Sequence, residues 1–341
     1  MKKLKWFFVL SLIAFVGAFL AACSSESSSN ASNESSSEKE EKQPIEVNIG
    51  IQQSIWPILA AKEKGWFEEE FEKVGAKVNW VEFQSGPAYF EAIATDRLDF
   101  GRVGNIPVLV GQAADIPFKE IALASSGEKG DAILIPKDSP IKSVKDLKGK
   151  KVAVAKGSSS YGLLYRALEA NEINPEDVEI IQLQPDEAQP AFETGSVDAW
   201  VIWEPFQSIQ VVKNGAKVLA NGVDVNTSSP GFQIVRTKFA EEHPELVELY
   251  LKVTEKATRW QNENLEEAIE LYAELKDTDK EVIRQVLENS QPSNTAITEE
   301  VVEAQQKTTE LLYDLGGIKK TFDASEVVDN SYIENVLKDY K

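Results

Sequence analysis

One cysteine, one histidine and one methionine among 341 residues leave little material for covalent or metal chemistry. With Cys23 as the only cysteine, no disulfide can form within the chain. The only histidine, His243, stands before Pro244 at an expected turn ahead of a helix, where a structural or solvent-exposed role is the ordinary one. No Cys–His or Ser–His pair is in prospect, and no cluster has the spacing of a zinc or calcium site. The stretch GRVGN at 101–105 lacks the third glycine and the helix context of a dinucleotide fingerprint. Basic runs are missing as well. Lysine and arginine total 36 against 56 acidic residues, a net charge of −20, which argues against a nucleic acid partner. These absences predict a protein that binds rather than catalyses, without a cofactor or a metal.

The first 23 residues, MKKLKWFFVLSLIAFVGAFLAAC, carry three early lysines and an apolar run from Trp6 to Leu20. That run is short for a permanent span, which needs roughly 18–20 apolar residues. The layout is that of a cleaved export signal over 1–22. Its ending, Leu20-Ala21-Ala22-Cys23, resembles a bacterial lipobox, so Cys23 is expected to carry a diacylglycerol and become the new N-terminus. The chain would then be lipid-anchored at the cell membrane, facing outside the cytoplasm. Residues 24–43 are Ser- and Glu-rich and offer almost nothing to a core, so 23–44 reads as the lipidated cysteine and a disordered tether. As a flexible coil it would reach about 25 Å. Loss of the signal takes three lysines and leaves a net charge of −23.

Past residue 43 there remain 298 residues, about the size at which one core gives way to two lobes. Short β-like runs alternate with helical patterns: 47–51, 77–83, 98–103, 119–125, 131–136, 151–155, 178–184, 197–203 and 217–221. Pro57, Pro87 and Pro107 sit where first-turn prolines belong, and Ser143 and Ser158 or Ser159 can cap helices. Such alternation predicts parallel sheets with helices on both faces, an α/β class. From 238 to 316 the pattern is nearly all helical. Residues 92–105, AIATDRLDFGRVGN, align without gaps to 191–204, AFETGSVDAWVIWE, matching Ala92, Thr95 and Asp99 with Ala191, Thr194 and Asp198. Two lobes on one plan would produce this repeat, with a ligand cleft at the C-terminal ends of their strands.

Donor groups gather at those ends. Ser85-Gly86-Pro87 and Gly157-Ser158-Ser159-Ser160 each follow a strand and open a helix, where free N–H groups and serine hydroxyls suit an anion rich in acceptors, with no lysine or arginine inside. Helix capping is the plain alternative for these serines. Gln52 and Gln53 end the first strand, and Trp56 lies just before the first helix. Trp200 and Trp203 fall on opposite faces of one strand, Trp200 to the core and Trp203 to the cleft beside Glu204.

On the stretches 80–108, 139–169 and 191–206, the chain resembles the aliphatic sulfonate-binding proteins of bacterial ABC importers, within the taurine/nitrate-type group. The resemblance implies a two-lobed type II periplasmic-binding-protein fold with two hinge crossings, near 133–136 and 229–234. It places lobe one at 45–132 plus 233–341 and lobe two at 137–228. It also implies a monomer that delivers an organic sulfonate to an ABC permease and its ATPase, as a sulfur source. The family commonly has an aspartate and two prolines where this chain reads Gly104-Asn105-Ile106-Pro107-Val108, so Asn105 and Val108 depart from it and bear on which tail is accepted. Glu204 either meets a cationic tail, as in taurine, or pairs across the lobes. Nitrate, taurine or a thiamine-precursor pyrimidine are the alternative ligands for the same fold.

Overall fold

A computed structural model describes residues 43–340. The signal segment, Cys23 and the tether to residue 42 lie outside the described residues. Eleven strands form two sheets. They are β1 (Ile45–Gln52), β2 (Ala76–Phe83), β3 (Phe100–Gly104), β4 (Phe118–Ser125), β5 (Asp131–Ile135), β6 (Lys151–Val154), β7 (Glu179–Gln182), β8 (Ala199–Trp203), β9 (Lys217–Asn221), β10 (Gly231–Arg236) and β11 (Pro292–Thr295). The first sheet runs β11-β4-β10-β3-β1-β2 and the second β7-β6-β8-β5-β9. All nine expected strands are present, with ends shifted by a residue or two.

The sheets are mixed rather than purely parallel. In the first, β10 runs antiparallel to both β3 and β4; in the second, β5 runs antiparallel to both β8 and β9. Each is the strand by which the chain enters its sheet from the other one. The chain changes sheets over 126–130 and 222–230. The first change precedes the expected 133–136, which runs into β5, paired wholly within the second sheet. Two strands were not anticipated, β10 and β11. The edge strand β11 reads PSNT and has no apolar alternation to announce it.

The internal repeat is physical. Asp99 precedes β3 and Asp198 precedes β8, each the third strand counted from the parallel edge of its sheet (β2-β1-β3 and β7-β6-β8). The Asp99 carboxylate accepts the backbone N–H of Asn48 at 2.8 Å, and that of Asp198 accepts the backbone N–H of Lys151 at 2.8 Å. Each aspartate returns its own N–H to the same partner's carbonyl, Asp99 to Asn48 at 2.9 Å and Asp198 to Lys151 at 2.8 Å. Thr95 and Thr194 likewise both donate to the carbonyl four residues back, of Glu91 and Pro190. One copy is reinforced. Buried Asp99 also receives Arg236, whose Nη2 lies 2.6 Å away, while Asp198 has no such cation among the described residues.

That asymmetry has a measurable consequence. Asp99→Ala removes the buried partner of Arg236 and leaves it only the exposed Asp96, 2.8 Å from its Nη1, at a cost of about 3 kcal/mol, whereas Asp198→Ala forfeits about 1 kcal/mol. Melting curves should show a fall of about 10 °C for the first and about 2–4 °C for the second. Equal falls would mean that the repeat alone, not the ion pair, sets the stability here.

The main core of the first lobe centres on Phe67, Phe100 and Tyr250, with the rings of Phe100 and Tyr250 stacked at 4.4 Å. The helical stretch after β10 folds back onto this lobe: Tyr250 and Leu251 pack under β1 and β3. Trp200 is buried in the second lobe on a strand whose first four residues are all buried, so burial on both faces rather than alternation places it in the core.

Candidate functional site

The strand ends β1, β3, β6 and β8 converge on one cavity between the sheets, of about 600 Å³ of empty space, part of it open to solvent. Such sheets bind ligands at this edge. Of the twelve residues singled out from sequence, Gln52, Trp56, Gly86, Gly104, Ser158, Ser159, Trp203 and Glu204 line it. Gln53, Ser85, Asn105 and Ser160 do not. Gln53 points to solvent, while Ser85, Asn105 and Ser160 are buried behind the wall.

The expectation of a site without arginine or lysine is corrected by Arg102. This residue projects from β3 into the cavity, and its guanidinium carbon lies 3.3 Å from the ring centroid of Trp56. Its Nη2 donates to Ser125 Oγ at 2.9 Å, and its buried Nε has no partner among the described residues. Burial pushes the guanidinium down to about 9, opposed by the Asp131 carboxylate, so it remains a cation at neutral pH. The repeat held the missed signal: Arg102 aligns with Val201, which is fully buried in the second sheet. A cation at a core-strand position needs a reason.

The serines are also reassigned. Ser158 caps the helix Ser159–Ala170, accepting from Tyr161 N at 3.2 Å, and its hydroxyl donates to the Ala155 carbonyl at 2.7 Å. The hydroxyls of Ser159 and Ser160 both donate to Asp131 Oδ1, the former at 2.8 Å. None of the three hydroxyl protons is free for a ligand. What remains free at this helix end is backbone: the N–H groups of Ser159 and Ser160 make no hydrogen bond within the described residues. The Ser290 hydroxyl, buried at the cavity wall, is also unpartnered. Ser158→Ala should therefore behave as a lost cap, costing about 1 kcal/mol with unchanged ligand affinity. Melting beside calorimetry separates that outcome from a lost ligand contact.

Glu204 does not face the ligand space with free oxygens. Its Oε1 accepts Ser208 Oγ at 2.8 Å and Asn289 Nδ2 at 2.7 Å, and its Oε2 accepts Ser208 N at 3.2 Å. Asn289 belongs to the helix Lys280–Ser290 of the first lobe, so this carboxyl ties the lobes together. Burial pushes it up to about 7, partly offset by the Asn289 and Ser208 hydrogen bonds. Gly104 makes the other close approach. A Cβ added there would lie 2.9 Å from Ser159 Cβ in the opposite lobe. His243 lies away from the cavity, its ring 5.0 Å from that of Phe239.

The arrangement holds a cation and several N–H and O–H donors around a space walled by Trp56 and Trp203. It can grip an anion and shelter an apolar tail. Comparisons with known proteins agree in kind. A family model described as NMT1/THI5 like matches residues 52–268. A Bacillus subtilis (strain 168) protein named for binding aliphatic sulfonates is 53% identical over 301 residues, 88% of this chain and 91% of its own length. Among solved structures, the alkanesulfonate-binding protein SsuA from Xanthomonas axonopodis pv. citri, bound to MOPS, superposes with a TM-score of 0.80 at 29% identity, covering 85% of this chain and 99% of that one. The periplasmic aliphatic sulphonate binding protein SsuA from Escherichia coli gives 0.74 at 32% identity, covering 83% and 97%.

Proposed function

Because this chain belongs to the NMT1/THI5-like family, we propose that it is the extracytoplasmic solute-binding subunit of an ABC importer and that its cargo is an organic sulfonate. A sulfonate stays monoanionic at cellular pH and only accepts hydrogen bonds. The observation that carries the reading is Arg102, a cation stacked on Trp56 with a buried N–H that the protein itself leaves unpaired. Buried polar groups are almost always satisfied, so an unpaired one at a cavity wall is a place kept for a ligand acceptor. The free N–H groups of Ser159 and Ser160 supply the second side of the grip. Trp203 covers the tail.

The lobes close as a hinge over 126–130 and 222–230, and the closed monomer presents its cargo to the permease and its ATPase. Anchoring rests on sequence alone: Cys23 in its lipobox setting carries the lipid that holds the protein at the membrane. Binding and release are the whole of its chemistry, and no residue acts as a catalyst.

A thermal-shift panel of alkanesulfonates, taurine, sulfate, nitrate and pyrimidines tests the reading. Organic sulfonates should raise the melting temperature and nitrate should not; a response to pyrimidine or nitrate alone would refute it. Trp203→Ala should weaken hexanesulfonate about tenfold more than methanesulfonate, since a ring contact of about 1.4 kcal/mol is available only to the longer tail.

A further inference from the structure

The carboxylate free to meet a ligand is not Glu204, whose oxygens are held by Ser208 and Asn289, but Asp131. Asp131 opens β5 and is 5% exposed, and its residual surface faces the cavity. Its Oδ1 accepts from both Ser159 and Ser160, while its Oδ2 accepts from no group among the described residues. The two serines fix the carboxylate in place and leave one oxygen open. Arg102 lines the same cavity and feels the charge of Asp131, yet neither hydrogen-bonds the other. The cavity is therefore dipolar: a cation and an anion both line it without pairing with each other.

Resting on the sulfonate reading above, we propose that Asp131 selects the ligand's tail: the cavity takes a sulfonate that also carries a hydrogen donor, best an ammonium, which Asp131 Oδ2 accepts while Arg102 holds the sulfonate. A plain alkanesulfonate would set a second anion near Asp131 and leave Oδ2 unmet. A zwitterion pairs both protein charges at once. A charge-assisted hydrogen bond of this kind corresponds to roughly ten- to hundredfold in affinity.

Calorimetry with 2-aminoethanesulfonate and its near isostere without the nitrogen, propanesulfonate, tests the idea on the wild-type protein, Asp131→Asn and Glu204→Gln. The wild type should bind the aminosulfonate at least about tenfold tighter, Glu204→Gln should keep that preference, and Asp131→Asn should abolish it. Asparagine retains an oxygen for Ser159 and Ser160, so a melting curve near wild type is expected. Equal binding of both ligands by the wild type overturns the proposal without any variant, and leaves the sulfonate reading standing. A preference that survives Asp131→Asn, or disappears with Glu204→Gln, also overturns it. Binding of neither sulfonate by the wild type overturns the functional reading together with this inference.

Discussion

Arg102→Gln is expected to weaken sulfonate binding at least about a hundredfold while leaving the melting temperature unchanged or higher. A charged donor facing an anion contributes about 1.5–3 kcal/mol by one hydrogen bond, and Arg102 offers more than one. The guanidinium is also the only cation lining the cavity among the described residues. Its desolvation, visible in a pKa pushed down to about 9, is a standing cost to the unliganded fold. Glutamine removes that cost, and although it is two bonds too short to keep the Ser125 hydrogen bond, that loss is about 1 kcal/mol. Affinity and stability should therefore move in opposite directions. A structural arginine would show the reverse, with a lower melting temperature and near-normal binding. Calorimetry and melting on the same preparation distinguish the two.

Gly104→Val should act through closure. The φ of Gly104 is −76°, open to any residue, so valine brings no backbone strain of its own. Its side chain would instead meet Ser159 across the cleft, where even a Cβ comes within 2.9 Å of Ser159 Cβ. With the lobes apart nothing is crowded. The unliganded protein should melt within about 2 °C of wild type, while affinity for a sulfonate falls about a hundredfold. Small-angle scattering should show the wild type contracting on saturation and the variant remaining extended. Contraction of the variant with normal affinity would mean that Gly104 and Ser159 do not set the closed distance.

Much of this architecture could be read from the chain because its strands are short apolar runs between helix-starting prolines and serines. The repeat of 92–105 in 191–204 carried further: its aspartates do the same work in both sheets, down to the N–H each accepts. What could not be read is instructive. β10 (GFQIVR) has the composition of a strand, but it follows Pro230 at a crossing between lobes, and its pairing with β3 and β4 is entirely non-local. The reversed direction of β5 and β10 is likewise a property of the crossovers, not of either segment's residues.

At the site, residue type was the better guide where backbone geometry did the work, and the poorer one where partners did. Trp56, Gly86, Gly104 and Trp203 fall on the cavity because strand ends place them there. The serines of 158–160 were sound choices by type, yet their hydroxyls are taken by Ala155 and Asp131, and only their neighbouring N–H groups remain. Asp131 sits 29 residues before Ser160, a separation across which no local pattern speaks. Glu204 kept both of its sequence readings open, a cationic tail or a pair across the lobes. Asn289 at 2.7 Å favours the second.

The most direct test of the central claim is a crystal structure of the protein saturated with a sulfonate. The sulfonate oxygens should lie within hydrogen-bond distance of the Arg102 guanidinium and of the backbone N–H groups of Ser159 and Ser160, with the tail against Trp203. A sulfonate bound elsewhere, with Arg102 Nε still unpartnered in the closed cleft, would contradict the account.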